Sequence, residues 1–157
     1  MKQAIIPPVL KKVKPTNFLL FRTETTVNEL NQFMGVAPEL FREAVANKLT
    51  ITGPVHWHYF DFYGDFEKPF TLEIALPVGE VLDNYDGKFP FKRTQDFACV
   101  SLMHEGNWLE MPTSYQRLME FADANQLNPA GLNRELYINV DFTNPEGNST
   151  EIQMGIQ

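Results

Sequence analysis

Glu135 and Tyr137 stand two residues apart in Arg134-Glu135-Leu136-Tyr137-Ile138-Asn139-Val140, a run whose apolar alternation is that of a strand. Side chains alternate across a strand, so the carboxyl and the phenol share one face. Such a pair can hold a cation or, with the carboxyl pKa raised by apolar walls, act as a general acid or base. The run has a counterpart 78 residues earlier, where Trp57, Tyr59 and Asp61 take the places of Glu135, Tyr137 and Asn139. An indole and a phenol from one copy, set against a carboxylate and a phenol from the other, would form an aromatic pocket with one negative focus. Trp108, just ahead of a helical stripe, is placed at its rim. The ordinary alternatives are a solvent-facing glutamate and core packing of Trp57 and Tyr59.

Other constellations carry less. His56 and His58 share the face opposite Trp57, and an H-x-H pair binds a metal only with a third ligand, here His104 or a carboxylate. No metal is expected. There is no G-x-S-x-G, glycine-rich phosphate loop, C-x-x-C pair or H-E-x-x-H, so no cofactor is expected and any catalysis falls to Glu135 and Tyr137. The lone Cys99 lies in an apolar run and reads as a buried thiol.

The elements that must position these residues follow from the repeat. Ala46-Asn47-Lys48-Leu49-Thr50-Ile51-Thr52-Gly53 matches Ala124-Asn125-Gln126-Leu127-Asn128-Pro129-Ala130-Gly131 without a gap. The first half reads as a strand over 17–26, a helix starting near Pro38 with Leu40, Phe41, Ala44 and Val45 on its stripe, and strands over 55–62 and 70–78. The second half repeats this with a strand over 96–104, a helix over 112–124 and strands over 134–142 and 150–156. The halves span about 15–82 and 92–157, with a polar, turn-rich linker over 83–91. Leu136, Ile138 and Val140 are expected to face the helices, and Glu135, Tyr137 and Asn139 the other side.

A chain of 157 residues with 43% hydrophobic and 13% aromatic content suits a single domain whose halves share an interface. The net charge of −7 argues against direct nucleic-acid binding. Lys2, Lys11, Lys12 and Lys14 read as a solvated arm. The apolar start is short and broken by Pro7 and Pro8, and no stretch is long enough to span a bilayer, so a cytoplasmic protein is expected with no membrane partner.

Five segments stand out: Leu49-Thr50-Ile51-Thr52-Gly53-Pro54, Glu73-Ile74-Ala75-Leu76-Pro77-Val78, His104-Glu105-Gly106, Arg134-Glu135-Leu136-Tyr137-Ile138 and Thr150-Glu151-Ile152. Together they resemble the GyrI-like small-molecule-binding family, the SOUL-like effector-binding half of some bacterial multidrug-responsive transcription regulators. The second half ends in Met154-Gly155-Ile156, where the family pattern has Ile-Pro-Val. The resemblance implies an α+β fold of tandem duplicated strand-helix-strand-strand units. These would form a curved, mainly antiparallel sheet with helices on one face and a ligand cleft between the halves. It implies an acidic cleft residue, matched by Glu135, that receives small hydrophobic or cationic aromatic molecules. The length leaves no room for a helix-turn-helix, so a stand-alone member is expected. Binding without catalysis is the leading expectation, with Trp57, Tyr59, Trp108, Glu135 and Tyr137 as the binding residues. The alternatives that the resemblance implies are hydrolysis of strained cyclopropane-bearing toxins, with Tyr59, Tyr115 or Tyr137 aimed into the cleft beside Glu135, and inhibition of DNA gyrase through protein contact.

Overall fold

Runs rich in β-branched and aromatic residues become strands, and stripes spaced by three and four become helices. The computed structural model describes residues 6–157. It contains β1 (Val9–Val13), β2 (Asn17–Thr25), α1 (Val36–Ala46), β3 (His56–Phe60), β4 (Phe70–Pro77), β5 (Phe91–Arg93), β6 (Phe97–Glu105), α2 (Met111–Ala124), β7 (Pro129–Asn139) and β8 (Ser149–Ile156). A 3-10 turn precedes each helix, over Val27–Phe33 and Trp108–Glu110. All eight strands join one antiparallel sheet in the order β1-β6-β8-β7-β3-β4-β2-β5.

That order reads the same from both ends. β3 and β7 meet at the centre with Trp57 opposite Glu135, flanked by His56 opposite Leu136 and His58 opposite Arg134. Under the 78-residue shift these flanking pairs exchange, so a pseudo-twofold axis passes through the Trp57–Glu135 pair. The helix ends obey it too. Asn47 and Asn125 each donate a side-chain N–H to the carbonyl four residues back, of Glu43 and Phe121, and the next residues, Lys48 and Gln126, both turn left-handed at φ 57°. The first strand of each unit departs from the shift: Ile74 pairs with Phe21 and its counterpart Ile152 with Leu102, a separation of 81. The shorter 3-10 turn before α2 accounts for this offset.

Two corrections concern the edges. Residues 9–13, expected in a solvated arm, form β1 and pair with β6; Lys11 bridges to Glu151 at 2.8 Å and Lys12 to Asp96 at 3.5 Å. Lys2 lies outside the described residues. The expected linker ends in β5, which pairs with β2, and its Tyr85 and Phe89 pack against the first core. The chain thus crosses over: the strand before each unit closes the edge of the other unit. The run 134–142 also differs, because β7 begins at Pro129 and ends at Asn139.

The ladders sort side chains into two rows across six strands. One row, Phe21-Ile74-Trp57-Glu135-Ile152-Leu102, lies beneath the helices; the next, Arg22-Glu73-His58-Arg134-Gln153-Ser101, faces away. α1 buries Leu40 and Ala44 against β2 and β4, while α2 buries Leu118 and Ala122 against β6 and β8. Each fully buried leucine contributes about 2 kcal/mol of apolar transfer energy. The helices cover the outer strands and leave the central pair, β3 and β7, without a helix above them.

This overturns the expected facing of β7. Glu135 and Tyr137 lie on the helix side, in the gap between α1 and α2, whereas Ile138 is 49% exposed. The polar residues do not flee the helices, because no helix sits directly over the central strands. Asn139 fails for a different reason. A bulge between Tyr137 and Asn139 inserts one residue against β8, which turns Asn139 outward to donate to Gly147 O and swings Val140 toward the gap. Asp61, its counterpart, is exposed and left-handed at φ 58°.

Candidate ligand cleft

The gap between the helices is a cavity of about 820 Å³ floored by β3 and β7. That volume falls within the range of drug-sized ligand sites. The five residues singled out from sequence, Trp57, Tyr59, Trp108, Glu135 and Tyr137, all line it, and so does Tyr115 from α2. The first half adds Met34, Phe41, Phe62 and Phe66, none of which was singled out as a binding residue. Phe41 stood on the α1 stripe, and Phe62 and Phe66 lie in the phenylalanine-rich stretch around the first hairpin loop, a pattern that core packing explains equally well. At the mouth, Leu109 and Phe142 are 86% and 75% exposed.

Glu135 is the focus. Tyr59 and Tyr137, equivalent under the repeat, both donate to its Oε1, at 2.9 and 2.6 Å, and Tyr115 donates to Oε2 at 2.5 Å. Burial pushes the Glu135 carboxyl above its ordinary value, and the three phenols, by hydrogen-bonding the ionised form, pull it part of the way back. Burial likewise pushes all three phenols well above the usual tyrosine range, and the adjacent carboxylate pushes them further. They therefore serve as donors, not bases. No lysine or arginine lines the cavity among the described residues, so an ionised Glu135 has no protein cation to balance it.

The indoles are set by their neighbours. Trp108 donates Nε1 to Thr150 Oγ1 at 3.0 Å, and both Trp57 and Trp108 meet the Tyr137 ring edge-on, at centroid separations of 6.1 and 5.3 Å. His104 braces the corner that carries Trp108. Its Nε2 lies 2.8 Å from Asn107 O, which can only accept, so Nδ1 is left to accept from Ser114 Oγ at 2.7 Å. His104 is thereby a fastener between β6 and the start of α2, and not a partner of the other histidines.

The opposite face holds His56 and His58, with Nδ1 and Nε2 3.1 Å apart. Burial, then the Arg134 guanidinium, pulls His56 down to about 3 and His58 well below the usual range. Arg134 stacks 4.0 Å above the Phe97 ring, and burial pulls it down to about 10. Glu73, beside His58 in the same row, is taken by Arg22 and Lys92. Among the described residues no three histidine, cysteine or carboxylate groups are placed to share a metal ion.

A profile of the GyrI-like small molecule binding domain matches residues 6–157. Among solved structures, EcmrR in complex with DNA superposes at a TM-score of 0.77 with 20% identity, over 96% of this chain and 57% of that one. This chain thus spans little more than half of EcmrR; the separate EcmrR C-terminal domain matches over 96% of both chains, at a TM-score of 0.75 and 19% identity. SAV2435, solved with tetraphenylphosphonium bound, matches at a TM-score of 0.66 and 14% identity, covering 97% of this chain and 94% of its own. A hydrolase encoded by lin2189 from Listeria innocua matches at 0.72 and 14%, covering 96% and 92%. Identities this low speak for the fold alone. No curated protein matches the sequence. Among the described residues no helix is long and apolar enough to cross a membrane.

Proposed function

We propose that this chain, which belongs to the GyrI-like small molecule binding domain family, binds an apolar, aromatic cation in the cleft between its helices. One observation carries the reading: a carboxylate held by three phenols at the floor of an aromatic cavity that has no protein cation among the described residues. Burying a lone charge is costly, and a guest that brings the opposite charge removes that cost while stacking on Trp57, Trp108 and Tyr137. The tetraphenylphosphonium carried by the similarly folded SAV2435 has this chemistry. The test is a titration with a lipophilic cation and a neutral molecule of the same shape, read by indole fluorescence or calorimetry. Glu135→Gln should weaken the cation about a hundredfold, the loss expected for a desolvated charge pair, and leave the neutral compound nearly unchanged. Equal losses for both would remove the electrostatic basis of the proposal.

A second reading is favoured by the raised Glu135 pKa and the place of this carboxyl on the cavity floor. At the floor of the cleft a carboxylate of raised pKa can take a proton from a water molecule as the water oxygen bonds to a strained ring carbon; the ring C–C bond breaks and the carboxyl returns that proton to the released carbon. Incubation with a cyclopropane-bearing electrophile, followed by mass spectrometry, should then show a product heavier by one water that Glu135→Ala does not make. Absence of that product across a panel of such electrophiles excludes this reading and leaves the binding proposal standing.

A further inference from the structure

We infer that the cleft distinguishes cations by whether they carry a proton to donate: it selects a protonated amine with an apolar body over a quaternary cation of the same shape. This rests on the cation-binding reading and makes it more specific. A carboxylate offers about four acceptor positions, two on each oxygen. Tyr59 and Tyr137 fill both positions on Oε1, and Tyr115 fills one on Oε2. One position on Oε2 is left, on a side chain that is 7% exposed and lines the cavity.

The same bonds fix what the phenols can do for a guest. Each has given its proton to Glu135, so toward a ligand it presents only oxygen lone pairs. The Trp108 N–H is likewise committed, to Thr150. The three phenol oxygens around the carboxylate therefore face a guest as acceptors. An N–H-bearing cation can fill the remaining position with a charge-assisted hydrogen bond and lie among phenol oxygens that also accept. A quaternary nitrogen, sheathed in carbon, keeps only the Coulomb attraction, from farther away. Desolvation works in the opposite direction, because an ammonium N–H loses more hydration than a methylated centre on entering an apolar cavity. A tighter amine thus requires an acceptor waiting for it.

The experiment uses one rigid aromatic scaffold in two forms, a tertiary amine protonated at pH 7 and its N-methyl quaternary salt, titrated by calorimetry against the wild-type chain and Glu135→Gln. The amine should bind about tenfold more tightly to the wild type, the size of one hydrogen bond to a charged group, and the ratio should fall toward one in Glu135→Gln as both weaken. Equal affinities in the wild type, with both lost in Glu135→Gln, overturn this inference while the cation-binding reading survives. A preference for the amine that persists in Glu135→Gln also overturns it, because the discrimination would then arise elsewhere. If neither cation binds, both readings fall.

Discussion

The wall of the cleft contributed by α1, β3 and the turn before α1 is apolar almost throughout, whereas the wall contributed by α2 and β7 carries the charge and two of its three phenols. The backbones are related by the same shift, so the contrast is one of substitution. Where the second half has Tyr115, Asn133 and Glu135, the first has Ala37, Val55 and Trp57. Tyr59 and Tyr137 alone are kept in both, and both bind the same carboxylate oxygen. The location of the axis explains why the halves had to differ. A residue on a twofold axis faces its own counterpart, so identical copies would set glutamate against glutamate or indole against indole. Two carboxylates so close could not both stay ionised. Only unlike residues at this pair give one negative charge facing an aromatic wall.

The most damaging way to break that contrast is Trp57→Glu, which restores symmetry at the axis. It removes a buried indole and places a second carboxyl against Glu135, so a loss of about 4 kcal/mol at pH 7 is expected, with partial recovery near pH 4 as one carboxyl takes a proton. Thermal melts at the two pH values check this. A loss of equal size at both would mean that only the indole packing mattered. A milder pair of changes tests whether the halves are mechanically alike. Leu40 and Leu118 are both fully buried at equivalent helix positions, and each change to alanine should cost about 3 kcal/mol in denaturant unfolding. Markedly unequal losses would show that one half carries the other.

Much of this was legible in the chain. The 78-residue shift located both helices and the hairpins and marked Trp57 and Glu135 as equivalent positions, because alternation and helical stripes are local properties of strands and helices. What failed was everything set by distant partners. β1 was hidden because Val9–Val13 has no buried face of its own and becomes a strand only by pairing with β6, from the other half. The facing of β7 was misread because Leu136, Ile138 and Val140 are the more apolar set, yet the central strands have no helix above them to bury it. Tyr115 stood on the α2 stripe among core residues and entered only through the family resemblance, as one of three tyrosines that could aim into the cleft, because nothing local shows that its hydroxyl reaches across to Glu135.

Titration separates the two faces of the sheet as mutation separates the two halves. His56 is held neutral by burial down to about 3, while in the unfolded chain it protonates near 6.5, so its contribution to stability is complete above that value and is lost as pH falls toward 3. Glu135 has the opposite sign. Its native pKa lies above the ordinary 4.5, so it favours the folded state at low pH and loses that contribution as pH rises from 4.5 through the raised native value. Glu135→Gln should flatten the second trend and leave the first, as read from melting temperature against pH. A bound cation, which needs the ionised carboxylate, should tighten over the interval in which the empty protein weakens.

The smallest effect gives the sharpest comparison. Tyr115→Phe removes one of three donors and makes that position resemble Ala37, which offers none. The Tyr115 ring is half-buried, and loss of its hydroxyl should cost about 1 kcal/mol, the net value of one hydrogen bond. Because that bond favours the ionised form, the Glu135 pKa should rise further, and the pH at which cation affinity reaches half its maximum should rise with it. Tyr59→Phe and Tyr137→Phe remove donors from the other oxygen and should shift it in the same direction. A Tyr115→Phe protein that loses stability with no movement of the binding profile would reduce Tyr115 to a packing residue. The carboxylate would then be held by the two tyrosines the halves share, and the asymmetry of the site would come down to the single pair at its axis.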